Sequence, residues 1–190
     1  MKILETERLI LREIVEADAE FILDLLNQPS FIKYIGDRNV RNLEQAREFI
    51  KNRYRASYAE HGFGLYVVEL KAETRALASV SKSALTDVRA AVCKNPPIGI
   101  CGFVKRDNLP EADIGFAFLS QFEQKGFAFE SASAVLRYGR ENLKLGRVLA
   151  ITSQDNESSG RLLKKLGFKF EVSTKMSGDD TELKLFSSDI

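Results

Sequence analysis

Gln124-Lys125-Gly126-Phe127-Ala128 opens a long helical pattern, and Asn156-Glu157-Ser158-Ser159 opens a shorter one that runs into Leu166-Gly167-Phe168. In the first stretch a glycine stands where a strand gives way to a helix, so backbone N–H groups without intrahelical partners can face an anion such as a pyrophosphate. In the second, an amide and a hydroxyl stand at another helix entrance, within reach of the same cleft. Glycine and asparagine also mark helix boundaries for local reasons alone. Their order along the chain and the elements around them make the pair a candidate cofactor site.

Upstream of the first turn, Ile98 to Val104 and Ala112 to Phe118 are strand-like and are separated by the turn-forming Arg106-Asp107-Asn108-Leu109-Pro110, which predicts an antiparallel hairpin. Leu65 to Leu70, bounded by Gly62 and Gly64, reads as another strand. Further back, Leu9 and Leu11 alternate with Arg8 and Arg12 as a first strand would. Apolar stripes predict helices from about Glu16 to Asn27, ended by Pro29, and from Leu43 to Ala59. Between the two motifs, Ala128, Ala132, Val135, Gly139 and Leu143 recur at helical spacing from Gly126 to about Lys144, and their small size predicts a helix lying close on a sheet. Arg147 to Thr152 is a buried-type strand, Asn156 to Lys165 a helix, and Phe168 to Ser173 and Glu182 to Phe186 two closing strands. The resulting order, β–α–α–β–β–β–α–β–α–β–β, describes an α/β (α+β) fold with a mixed, mostly antiparallel sheet flanked by helices.

A chain of 190 residues with 44% hydrophobic content suits one domain spanning 1–190. Its formal net charge of +1 supplies no broad basic field, so nucleic acid is not an expected partner. Cys93 and Cys101 are too far apart for a Cys-x-x-Cys motif, and His61 stands alone, so reduced thiols and no metal are expected. Charges interrupt the opening Met1 to Arg8, and no later apolar run approaches a membrane span; a cytoplasmic protein without membrane contact is the expectation. Residues Ala72 to Asn95 exceed the usual connection of about 4–6 residues. They read either as a tolerated surface excursion or as a lid, a substrate-selecting arm or a dimer contact.

On Gln124 to Glu130 and Asn156 to Phe168 the chain resembles the GNAT superfamily of acetyl-CoA-dependent N-acetyltransferases. The opening Thr6-Glu7-Arg8-Leu9-Ile10-Leu11-Arg12 is similar to the branch that holds the Rim-type N-terminal acetyltransferases of ribosomal proteins. The likeness extends through Asp113-Ile114-Gly115-Phe116 and covers nearly the whole chain except Ala72 to Asn95. It implies that Gln124, Lys125, Gly126, Phe127 and Ala128 cradle the coenzyme A pyrophosphate with backbone amides. It implies further that Asn156 meets the pantetheine arm or an adjacent water, that Ser159 contacts the cofactor near its sulfur, and that a backbone N–H in Asp113 to Phe118, with Phe116, Ala117 and Phe118 along the cofactor, polarises the thioester carbonyl. Three positions depart from the family pattern, one of them Gln124, where the family often carries Gly. Glu123 puts a carboxylate where Arg or Gln is usual, and Leu163 stands where many relatives carry a tyrosine general acid.

Strand alternation puts Ile114, Phe116 and Phe118 on one face and Asp113, Gly115 and Ala117 on the other. An attacking amine must lose a proton, since ammonium groups titrate near ~10 for lysine and ~8 for an α-amine; a carboxylate is the expected base. Asp113 is the candidate, with Glu111 at the same parity. Ser159 or a water is left as the acid for the departing thiolate. Arg8 and Arg12 read as structural ion-pair residues, His61 as a loop residue, and Glu130 as a complement to its helix dipole.

The expected activity is direct acetyl transfer from acetyl-CoA to a primary amine, on a protein N-terminus or a small molecule, by a monomer or homodimer. A non-catalytic acyl-CoA-binding or sensing module on the same fold is the alternative, and a protein-interaction domain using Ala72 to Asn95 a third.

Overall fold

The computed structural model describes residues 1–72, 95–175 and 182–190. Its strands are β1 (Lys2–Glu5), β2 (Leu9–Glu13), β3 (Leu65–Leu70), β4 (Pro97–Val104), β5 (Asp113–Phe118), β6 (Arg147–Ser153), β7 (Lys169–Lys175) and β8 (Glu182–Asp189). Its helices are α1 (Ala19–Leu26), α2 (Pro29–Tyr34), α3 (Leu43–Phe49), α4 (Ala56–His61), α5 (Phe127–Glu141) and α6 (Glu157–Lys165). The eight strands form one sheet in the order β1-β2-β3-β4-β5-β6-β8-β7. All neighbours are antiparallel except β5 and β6.

The expected β4–β5 hairpin is present, with Gly99 opposite Phe118 and Val104 opposite Asp113. Helix α5 lies close on it. A Cβ added at Gly139 would sit 2.5 Å from the Phe103 ring, so glycine there lets helix and sheet approach, while Ala132 and Val135 are fully buried. Two elements escaped the sequence reading. Strand β1 is short, with a lysine and a glutamate at its ends, and exists through pairing with β2. Pro29 ends α1 as expected but also opens α2, because proline's missing N–H costs nothing in a first helical turn. The pattern from Leu43 to Ala59 is helical throughout, with a π-helical turn at Ile50–Arg55 joining α3 to α4.

The segment between β3 and β4 begins and ends at one place. The Ala72 N–H donates to Asn95 Oδ1 at 3.2 Å, and the Leu70 N–H donates to the Pro96 carbonyl at 3.0 Å. Residues 73–94 themselves lie outside the described residues, as does Cys93. Cys101 is free and buried, and burial pushes its thiol up to about 12.

Arg8 and Arg12 form ion pairs, as expected. The Arg12 guanidinium grips both oxygens of Asp18 at 2.7 Å and donates to Glu69 at 2.7 Å, tying β2, β3 and the entrance to α1 together. Glu130 does more than complement a dipole. It accepts from the Thr6 hydroxyl at 2.5 Å, the Arg8 backbone N–H at 2.9 Å and Arg8 Nε at 2.6 Å, fastening α5 to the turn before β2. Burial opposes its ionisation, yet these donors hold the carboxyl below its ordinary value.

Replacing Glu130 by Gln is expected to cost about 2 kcal/mol at neutral pH, the usual scale for bonds to a charged group. Because the folded-state carboxyl titrates below its ordinary 4.5, this contribution is complete above that value and is lost as pH falls through the folded one. Urea unfolding of both proteins on acidification checks it: the two stabilities should converge, and a constant gap would contradict the assignment.

Candidate active site

β5 and β6 run parallel and share a single register pair, Asp113 with Leu149, closed by the Leu149 N–H donating to the Ala112 carbonyl at 3.0 Å. Beyond that pair no ladder continues, so the carboxyl-terminal halves of the two strands part. Backbone parity says what faces the gap. Leu119 donates to Ile98 in β4, and the Ala112 carbonyl turns to β6, so odd residues of β5 bond β4 while even residues turn toward β6. The N–H groups of Phe116 and Phe118 therefore face the gap. That of Ala117 is committed to β4, so toward the gap Ala117 offers no backbone donor.

At the open end, β5 leads through a short 3-10 turn, Ser120–Phe122, into the glycine turn. Gln124 and Gly126 both have positive φ, 59° and 82°, and Gly126 is the N-cap of the 15-residue α5 with no side chain bonded to its first amides. Gln124, Lys125 and Gly126 are exposed, Phe127 is buried and Ala128 half-buried. The first amides of α5 thus present unpaired donors and the positive end of the helix dipole to solvent at the mouth of the gap. Arg8 braces the turn from behind, donating to the Lys125 carbonyl at 3.2 Å and stacking 4.6 Å from the Phe127 ring centre. The Glu123 carboxylate is turned away from these amides and accepts from the Ser30 hydroxyl of α2 at 3.0 Å.

On the other lip, β6 leads to Asn156, whose Oδ1 accepts from the Ser159 N–H at 3.0 Å and caps α6. The local role is real, and it leaves the Asn156 amide donors available. Ser159 is half-buried, and its hydroxyl makes no hydrogen bond among the described residues. Leu163 is 1% exposed and belongs to the core, so its position supplies no acid. Helix α2 spans the two lips: Ser30 holds Glu123, and Lys33 pairs with Asp155 at 3.0 Å. A six-residue helix is about 9 Å long, so the two motifs, some thirty residues apart in sequence, converge on one opening.

One residue was missed from sequence. The Thr152 hydroxyl near the end of β6 is buried and has no hydrogen-bond partner among the described residues, and an unsatisfied buried donor costs on the order of 1–3 kcal/mol. The only signal was a hydroxyl closing the apolar run Val148-Leu149-Ala150-Ile151.

Asp113 does not stand as an open base. It is 1% exposed at the closed end of the gap, and Arg106 Nε donates to its Oδ1 at 2.9 Å. Burial pushes its carboxyl above the ordinary range while the Arg106 charge opposes that rise. Catalytic contact with an amine would require this ion pair to open. Glu111 pairs with Arg147 at 3.8 Å. Among the described residues, no three His, Cys, Asp or Glu side chains gather, and no helix is long and apolar enough to cross a membrane.

The sequence profile of the acetyltransferase (GNAT) domain matches residues 8–169. An N-acetyltransferase of Bacillus subtilis, YoaA, is 34% identical over 170 residues, which cover 89% of this chain and 84% of that protein. Among solved structures, RimL, a ribosomal L7/L12 alpha-N-protein acetyltransferase, superposes with a TM-score of 0.73 at 16% identity over 100% of this chain and 94% of its own. The spermidine N-acetyltransferase of Vibrio cholerae, solved with CoA and spermine, superposes with a TM-score of 0.70 at 17% identity over 97% and 96%. At such identities the two structures speak for the fold alone.

Gly126→Val places a β-branched residue at φ 82° and sets its Cβ 3.2 Å from Arg8 Nη2. Affinity for acetyl-CoA is expected to fall by about tenfold, roughly 1.4 kcal/mol. Titration calorimetry checks it, and unchanged binding would remove the turn from the site.

Proposed function

The chain belongs to the acetyltransferase (GNAT) family and is an acetyltransferase, and from that premise we propose that it moves the acetyl group of acetyl-CoA to a primary amine by direct attack, without an acyl-enzyme. The observation that carries this reading is the convergence of uncapped α5 amides and gap-facing N–H groups of β5 on one opening. Free amides and the helix dipole suit the pyrophosphate of CoA. The unpaired edge of β5 suits a polar, extended arm such as pantetheine.

In this reading the amine nitrogen attacks the thioester carbon, the C–S bond breaks, and the thiolate leaves with a proton. The Phe116 N–H, facing the gap, stabilises the oxyanion of the tetrahedral intermediate. The Ser159 hydroxyl, unbonded among the described residues, donates a proton to sulfur and recovers one from the nitrogen of the intermediate. The ammonium proton leaves to water, because the Asp113 carboxylate is occupied by Arg106 and serves to position that guanidinium. Most of the acceleration comes from holding thioester and amine in register.

Acetyl-CoA consumption with a panel of α-amines, lysine-type amines and polyamines tests the proposal. CoA release that depends on an amine, with the acetylated amine as product, is expected. Tight acetyl-CoA binding with no transfer to any amine would favour a sensing module instead. Asp113→Asn should keep the shape of the pH–rate profile while lowering activity modestly. Loss of its acidic limb would restore Asp113 as the base.

A further inference from the structure

We propose that helix α2 is a latch across the mouth of the gap, clasped by the Lys33–Asp155 ion pair, and that the cofactor enters and leaves when the clasp is released. This rests on the reading that the gap receives CoA, and adds to it the step that governs exchange. The contacts of α2 at the mouth fall on the residues that bracket it. Ser30 donates to Glu123 at 3.0 Å, one position before Gln124 and the glycine turn, and Lys33 meets Asp155 at 3.0 Å, one position before the Asn156 cap. Ser30 and Lys33 are three residues apart, so both reach out from one side of the helix.

The excursion that carries α2 is fixed at its base and lightly held at the mouth. Asn27 Nδ2 donates to the Leu23 carbonyl at 2.7 Å and to the Val40 carbonyl at 2.9 Å, which ties the two ends of residues 28–39 together. Phe31, 6% exposed, seats the helix in the core. Beyond α2 the chain turns through Gly36 and Asn39, whose φ values of 104° and 55° lie in a region that few residues adopt. At the mouth the situation is reversed. The Ser30–Glu123 bond is exposed, and the Lys33 and Asp155 side chains are 58% and 59% exposed.

This contrast decides which contacts yield first. An exposed ion pair shifts an equilibrium by no more than about fivefold, so the clasp opens while the tied base and the Phe31 seat hold, and α2 swings about them as lids and hinged elements do. Lys33 is nonetheless directed: its ammonium donates to the Tyr34 hydroxyl at 3.2 Å and lies 4.6 Å from the centre of that ring. Closure also turns charge. Glu123 and Asp155 stand directly before the two helix entrances, and while Ser30 and Lys33 engage them their carboxylates are drawn to α2 and away from an anionic ligand. A ligand that favours the closed latch is in turn held by it.

Stopped-flow displacement of etheno-CoA, a fluorescent analogue, by excess CoA tests the latch in the wild type, in Lys33→Asp, in Asp155→Lys and in the protein with both substitutions. Each single substitution sets like charges against each other across the clasp, and dissociation is expected to quicken at least about twofold in both. The double substitution reverses the pair and should return the rate toward that of the wild type. The direction of change separates a clasp from long-range electrostatics, because the two single substitutions alter the charge at the mouth in opposite senses; without a clasp, Asp155→Lys would retain an anion longer and Lys33→Asp would release it sooner. Amide hydrogen exchange over residues 29–34 gives the second readout, and it should slow when CoA binds the wild type. Opposite changes in the two single variants, unchanged rates in both, a double variant as fast as either single one, or exchange in α2 that ignores CoA would overturn the proposal. Any of these with CoA still bound sinks the latch alone, whereas no binding of CoA to the wild type sinks the acetyl-transfer reading and the latch with it.

Discussion

Parallel β5 and β6 meet at Asp113 and Leu149 and then diverge, and the other features of the site depend on that divergence. Main-chain donors and acceptors in a sheet interior are ordinarily paired, and leaving them unpaired is costly unless something else satisfies them. Here the N–H groups of Phe116 and Phe118 are turned toward a strand that has moved away. Under the proposed function, an extended, polar ligand completes that bonding. The parallel direction puts both strand ends, and so both following helix entrances, at the same mouth. The uncapped amides of α5 and a capped asparagine entrance become neighbours through topology.

Holding the lips apart needs structure on both sides. From behind, Glu130 fixes Arg8, and Arg8 in turn fixes the Lys125 carbonyl and the Phe127 ring, so the glycine turn is braced by a carboxylate one helical turn inside α5. From the front, α2 reaches Glu123 on one lip and Asp155 on the other. The Lys33–Asp155 pair is more than half exposed at both ends and contributes little to stability. The Ser30 bond directs the charge of Glu123 to α2.

Much of this was legible in the residues. The small stripe of Ala132, Val135 and Gly139 foretold a helix pressed on the sheet, and the turn chemistry of Arg106 to Pro110 foretold the hairpin. Gly126 and Asn156 marked both helix entrances. What stayed hidden depends on tertiary contact. β1 has four residues and is defined by its partner; α2 follows a proline that also reads as a terminator. Asp113 looked like a base because nothing in sequence places Arg106 against it, and Glu130 looked like a dipole complement because Thr6 and Arg8 lie more than 120 residues away.

The central claim is that the parted strands and the glycine turn hold the cofactor of acetyl transfer. Titration calorimetry of the protein with CoA, and separately with a CoA lacking the 3′-phosphate–ADP portion (pantetheine alone), tests it most directly. The account predicts binding of CoA in the micromolar range, with most of the affinity lost when only pantetheine is offered, because the uncapped amides of α5 then have no pyrophosphate to meet. Equal affinity for the two, or no binding of CoA, would contradict it.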